Sequence, residues 1–198
     1  MSDLLEQVEQ QFDAAPTEET PTTSLALVQA DTARFELAQR EAKLLAASTL
    51  VPKQYQGNVA DVVVAMNMAS RMNADVIMVM QSLHIIHGKQ GWSAQFLIAS
   101  FNACGRFSTI RYEFSEKEDV CTAVTTELAT GAEIRGPSVS LEMAKSEGWA
   151  TKSGSKWKTM PQLMLRYRAA AFLIRTTAPE IGIGLYTTEE LKDMKNAS

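Results

Sequence analysis

Cysteine, histidine and long apolar runs are scarce in this chain, and each scarcity narrows what it can be. Two cysteines, Cys104 and Cys121, are too few for a disulfide framework in 198 residues, so reduced thiols in a cytosolic protein are expected. The two histidines, His84 and His87, lie three apart in a β-rich run. Residues at that spacing in a strand point to opposite faces. No cysteine or carboxylate cluster joins them, so structural histidines, no metal and no other cofactor are expected. With only these two histidines and no nucleophile elbow, no Ser/His/Asp arrangement can be argued. The longest apolar stretch, around Val76 to Val79, is interrupted by Asp75 and Gln81. It falls short of the roughly 20 residues of a membrane helix. The N-terminus lacks a basic stretch followed by an apolar one, so no secretory leader is expected. A cytoplasmic protein with no membrane contact is expected.

Phosphate-binding loops are missing too. Gly88-Lys89 is followed by Gln90 and lacks the upstream glycine that lets backbone N–H groups cradle phosphates. Gly182 and Gly184 make only the start of a dinucleotide fingerprint, and they follow a proline-ended helix rather than a strand. Glu116, Glu118 and Asp119 read as a solvated turn, with no apolar floor to position a metal.

What is present is an uneven charge. The net charge is -4, but residues 1–50 hold three bases against nine acids, and the rest holds sixteen bases against fourteen acids. Between Ala150 and Ala178 there are Lys152, Lys156, Lys158, Arg166, Arg168 and Arg175, and no acid. Charge alone favours a solvated face, but a basic segment behind an acidic N-terminus also fits a polyanion.

Residues 1–30 are acidic and rich in Thr, Gln and Pro, with little to bury, and read as a flexible tail. Residues 31–198 read as a single domain. A helix is expected from Asp31 or Thr32 to near Ser48, then one from Asn58 to Met72 and a short one from Asp75 to Leu83. Leu83 to His87 reads as a strand, with Gly88 to Gly91 as a turn. Ser93 suits a helix cap, and Gly105 a helix end. Phe107 to Phe114 and Val120 to Thr130 read as paired strands, and Glu133 to Arg135 as a short extended piece. Ser138 to Ser146 is expected as a helix and Gly148 to Ser155 as a loop. Thr159-Met160-Pro161 opens the strongest helix, which stops before Pro179. Thr187 and Glu190 form a capping box for a last short helix. The fold class is α+β, with helices packed around a small antiparallel β-sheet.

The residues that carry chemistry are cations and aromatics. A sequence-tolerant binder of single-stranded DNA needs cations along the phosphates and flat or apolar walls for the bases. Arg166 and Arg168 are two apart, about 200° around a helix, so they cannot share one face. Arg168 and Arg175 are seven apart and do share one. One arginine is thus free to face DNA while another pairs within the protein. Lys156 and Lys158 stand near a helix N-terminus, whose field adds to theirs. Trp157 is open between the interface and the core.

The run Lys152-Ser153-Gly154-Ser155-Lys156-Trp157-Lys158-Thr159-Met160-Pro161-Gln162-Leu163-Met164-Leu165-Arg166-Tyr167-Arg168-Ala169 resembles the signature of the RecT/Redβ family of phage single-strand annealing proteins. The likeness continues in Arg175, the Ala178-Pro179-Glu180 break and Gly184 to Glu190. Upstream it takes in Leu50 to Lys53, the helix Val62 to Met72, Gln81 to Lys89, and Ser140 to Lys145. It spans about Leu50 to Leu191. Asn73-Ala74-Asp75-Val76 departs from the turn many relatives carry.

The resemblance implies homo-oligomeric rings or filaments that hold single strands, then the annealed duplex, in a basic groove. It implies no nucleotide hydrolysis, no obligatory metal and no covalent chemistry. Lys152, Lys156, Lys158, Arg166 and Arg168 are the first candidates for phosphate contact. Lys53, Lys89, Arg106, Arg111 and Arg175 come next. Trp92 and Trp157 are implied as groove walls or core. Longer relatives contact an exonuclease or the host single-strand-binding protein through a C-terminal extension, so these join the candidate partners in a bacterial cytoplasm. The acidic tail is expected to compete with DNA for the groove. The rival readings are an oligomeric adaptor without DNA activity and a metal-dependent nuclease.

Overall fold

A computed structural model describes residues 21–194 of the chain. Two compact units divide it between Val63 and Val64. The first unit opens with helix α1, Pro21–Ala47, which begins ten residues before the expected cap. Asp31 and Thr32 lie inside it, and the Thr32 hydroxyl donates back to the carbonyl of Val28 at 2.8 Å. The helix end near Ser48 agrees with expectation. The hairpin back is held locally, because Gly57 N–H donates to the Ala46 carbonyl at 2.9 Å. Ala42, Ala46, Val51 and Tyr55 are buried there. The part of the expected tail before residue 21 lies outside the described residues.

Helix α2, Val59–Met72, crosses the division between the units. Asn58 caps it, its side-chain oxygen accepting from Asp61 N–H at 3.2 Å. In the second unit, α3 (Val76–Ser82) is capped by Asp75, whose carboxylate accepts from Met78 N–H at 2.9 Å. Strands β1 (Leu83–Ile86) and β2 (Lys89–Trp92) form an antiparallel hairpin. The expected turn over Gly88 to Gly91 is shorter than that. His87 and Gly88 alone make it, both at positive φ (51° and 74°), a backbone whose twist suits a two-residue hairpin. His87 is therefore a turn residue rather than a strand residue.

Ser93 caps α4 (Ala94–Ala103), accepting from Phe96 N–H at 3.2 Å. Strands β3 (Arg111–Phe114), β4 (Val120–Thr126) and β5 (Glu133–Arg135) make an antiparallel sheet in that order. β6 (Val139–Ser140) pairs with the start of β4 and leads into α5 (Leu141–Ser146). A short helix α6 (Lys156–Thr159) then precedes α7 (Pro161–Thr177). A 3-10 turn, Pro179–Gly182, follows. β7 (Tyr186–Thr187) runs parallel to β2, and α8 (Thr188–Asp193) closes the described chain. The mixed α+β class is as expected.

Helix α7 is the spine of this unit, packed between β4 and α4. Leu165, Leu173 and Ile174 are all but fully buried along it, each worth about 1.5–3 kcal/mol against exposure. Cys121, Ala123 and Thr125 of β4 are equally buried. The approach is close at Gly136, where a Cβ would lie 2.9 Å from Leu173 Cβ. Trp92 sits in the core, 4.8 Å from the Phe96 ring, and its indole N–H donates to the Gly182 carbonyl at 3.0 Å. No single helix among the described residues is long and apolar enough to cross a membrane. α2 and α3 together reach that length only across a 111° break.

Candidate nucleic-acid interface

The basic segment folds into the loop before α6, α6 itself and α7, all within the second unit. Its polar residues divide into an outward and an inward group. Ser155 starts α6, its hydroxyl accepting from Trp157 N–H at 3.4 Å and donating to the Trp149 carbonyl at 2.7 Å. Pro161 begins α7 as expected, but Met160 stands at the cap and Thr159 ends the short helix before it.

Lys156, Lys158 and Arg166 are the outward group. All three are exposed, and none makes an ion pair among the described residues. The Arg166 guanidinium lies 5.3 Å from the Phe114 ring centroid and 5.8 Å from that of Tyr112. These half-buried rings on β3 give it a flat support. Burial pushes the Tyr112 phenol up to about 12 and the Cys121 thiol up to about 11, with Arg166 drawing both back.

Lys152, Trp157, Arg168 and Arg175 are the inward group, and each has its partner within the fold. Arg168 is 6% exposed and pairs with Asp193. Its guanidinium lies 3.8 Å from the Trp149 ring centroid. Trp157 is 3% exposed, and its indole N–H donates to Asp193 Oδ2 at 2.8 Å. Lys152 Nζ donates to the carbonyls of Lys192 and Met194, both at 2.8 Å, at the end of α8. Arg175 is half-buried, 2.5 Å from Glu190 Oε2 and 4.6 Å from the Tyr186 ring centroid. The physical reason is shared: burying a cation is tolerable only when a carboxylate or carbonyl satisfies it. Burial pushes the Asp193 carboxyl above its ordinary value, against the pull of the Trp157 N–H and Arg168. It likewise lowers the Arg168 guanidinium. No buried side-chain N or O atom among the described residues lacks a partner.

The remaining candidates are scattered. Arg106 is exposed but paired with Glu180. Arg111 pairs with Glu133 at 3.1 Å, and Arg135 bonds both Glu133 and Glu113. These four charges lie on the sheet face opposite Tyr112 and Phe114. Hydrogen bonds from Arg135, then Arg111, hold the Glu133 carboxyl below its ordinary value. That face is charge-balanced rather than basic. Lys89 is exposed on β2, and Lys53 is exposed in the first unit.

Two open clefts adjoin the inward group. One of about 460 Å³ is lined by Trp149, Arg168, Phe172, Arg175, Tyr186 and Asp193 among others. A second, of about 350 Å³, takes in Lys152, Lys156, Trp157, Glu189, Lys192 and Asp193. Glu190 and Asp193 were not singled out by the sequence as partners of these cations. Glu190 had appeared only as a capping residue, and its capping box with Thr187 is present. Its i,i+3 spacing with Asp193, set against Arg168 and Arg175 on one face of α7, was the available signal. No three His, Cys, Asp or Glu among the described residues come together as a metal site. Compared with family models, with curated proteins and with solved structures, the chain gives no match.

Proposed function

We propose that this protein binds single-stranded DNA and anneals complementary strands without nucleotide hydrolysis, as an oligomeric RecT/Redβ-like recombination protein of the bacterial cytoplasm. The carrying observation is the outward group: Lys156, Lys158 and Arg166 are exposed and, among the described residues, without ion pairs in an acid-free segment. Such cations neutralise phosphates irrespective of base sequence. Arg166 stands over the Tyr112 and Phe114 rings, so charge and flat surface occur together. In this reading base pairing supplies recognition, and the protein supplies charge neutralisation and alignment. An exonuclease and a single-strand-binding protein are the proposed partners.

The reading is tested by charge reversal. Lys156→Glu and Arg166→Glu should each weaken binding to unrelated oligonucleotides alike. The slope of log affinity against log salt should shrink by about 0.7 for each phosphate that is no longer neutralised. A weakening confined to one sequence would contradict backbone-led binding. A protein-binding role has its own support in α1, where Leu27, Val28, Phe35, Leu37 and Leu44 are 55–74% exposed. Self-association without retention of any strand would favour the adaptor reading.

A further inference from the structure

Lys152, Trp157, Arg168 and Arg175 all end on the same six-residue helix. Lys152 holds the carbonyls that close α8, Trp157 and Arg168 share Asp193, and Arg175 takes Glu190. A guanidinium pairs with carboxylate and with phosphate oxygens through the same N–H geometry. The two carboxylates therefore occupy positions that phosphates would suit. The rings beside them complete the set. Arg168 lies over Trp149, Trp149 is 5.4 Å from Trp157, and Arg175 lies over Tyr186. These groups line or adjoin the cleft of about 460 Å³, which opens to solvent.

The holder is a single short helix. A helix of this length is unstable by itself. Besides the ion pairs, α8 is held by buried Leu191, by the capping box of Glu190 with Thr187, by Glu189 Oε2 accepting from Ala94 N–H at 3.2 Å, and by the two-residue pairing of β7 with β2. Its central ion pair carries a desolvation cost that offsets much of the attraction. A competitor bringing several anions at once needs to match only that difference.

We infer that α8 is an acidic clasp: Glu190 and Asp193 act as internal competitors for Arg175 and Arg168, and a polyanionic single strand displaces them. Displacement frees Lys152, Arg168 and Arg175 for phosphates and uncovers Trp149 and Trp157 for bases. The inference rests on the single-strand reading above and deepens it. The strand first meets Lys156, Lys158 and Arg166, and then opens the second row of cations behind them.

The test measures oligothymidylate binding by fluorescence anisotropy at low salt, using the full chain. Glu190→Gln with Asp193→Asn keeps the hydrogen-bond acceptors and removes the competing charge. Glu116→Gln with Glu118→Gln, in the exposed β3–β4 turn, makes the same change in net charge and releases no cation. Roughly tenfold tighter binding by the clasp variant is expected, as when a competent state goes from about a tenth populated to dominant. The turn variant should gain much less. Equal gains in both variants, with wild-type binding still weakened by Lys156→Glu, would overturn the clasp and leave the single-strand reading standing. Binding by the clasp variant alone would support both. No binding by any form would overturn both.

Should the clasp variant not fold, hydrogen exchange on the unmodified chain decides. Faster exchange of the Thr188–Asp193 amides at saturating oligothymidylate supports displacement, and slower or unchanged exchange refutes it.

Discussion

Arg166 and Arg168 are separated by one residue and have opposite fates. Arg166 is exposed over two rings, whereas Arg168 is sealed against Trp149 and Asp193. Arg168→Ala would leave the Asp193 carboxylate buried beside an empty space, a loss of about 3 kcal/mol. Arg166→Ala should cost under about 0.5 kcal/mol, as exposed substitutions do. Urea unfolding of the two variants checks the contrast. The split was legible in the sequence, because a two-residue step on a helix turns side chains apart. The partner was not, because Asp193 lies 25 residues downstream and only packing brings it there. Trp157 was ambiguous for a related reason: spacing cannot show that its indole N–H finds a buried carboxylate. The thiols also differ. Cys104 is half-buried, while Cys121 is buried and raised to about 11. A thiol reagent near neutral pH should modify Cys104 first and reach Cys121 only on unfolding. Raised values for Cys121 and Tyr112 mean that their neutral forms are favoured in the fold. Their contribution to stability is full below the ordinary thiol and phenol values and is lost as pH rises through about 11 and about 12. A melting temperature that held constant across that alkaline window would contradict the burial of these groups.

Elements with strong local chemistry were readable. Ser93 before α4, the β3–β4 pairing and the Thr187/Glu190 box follow from capping residues and β-branched runs. Others were misread, two of them for identifiable reasons. The start of α1 lies in a Thr-rich stretch that has no apolar period, and the Thr32 hydroxyl that suggested a cap bonds backward inside the helix. Gly91 suggested a turn but belongs to β2, where a Cβ would lie 2.6 Å from Leu191 Cδ1 and 3.0 Å from the Tyr186 carbonyl oxygen. Glycine there serves close approach rather than chain reversal. Gly136 does the same between the sheet and α7, against atoms that cannot swing away. Gly136→Ala should therefore lower unfolding stability by about 1–3 kcal/mol, the usual cost of overpacking. A neutral result in chemical denaturation would mean that α7 can move off the sheet freely.

At the scale of the whole molecule, the net charge of -4 is a poor guide to the surface. Acids are concentrated in the first fifty residues and on the face of α8 that covers Arg168 and Arg175, while Lys156, Lys158 and Arg166 remain unmatched by ion pairs among the described residues. The location of the basic segment was plain in the sequence. Which of its cations reach solvent required the fold, because pairing depends on a helix folded back onto α7. The most direct test mixes two complementary, fluorescently labelled oligonucleotides with the protein, without nucleotide or divalent metal, and follows energy transfer with time. Strand annealing predicts pairing faster than in protein-free solution, suppressed by high salt and by Lys156→Glu combined with Arg166→Glu. Pairing no faster than in protein-free solution, from a folded protein at low salt, would contradict it.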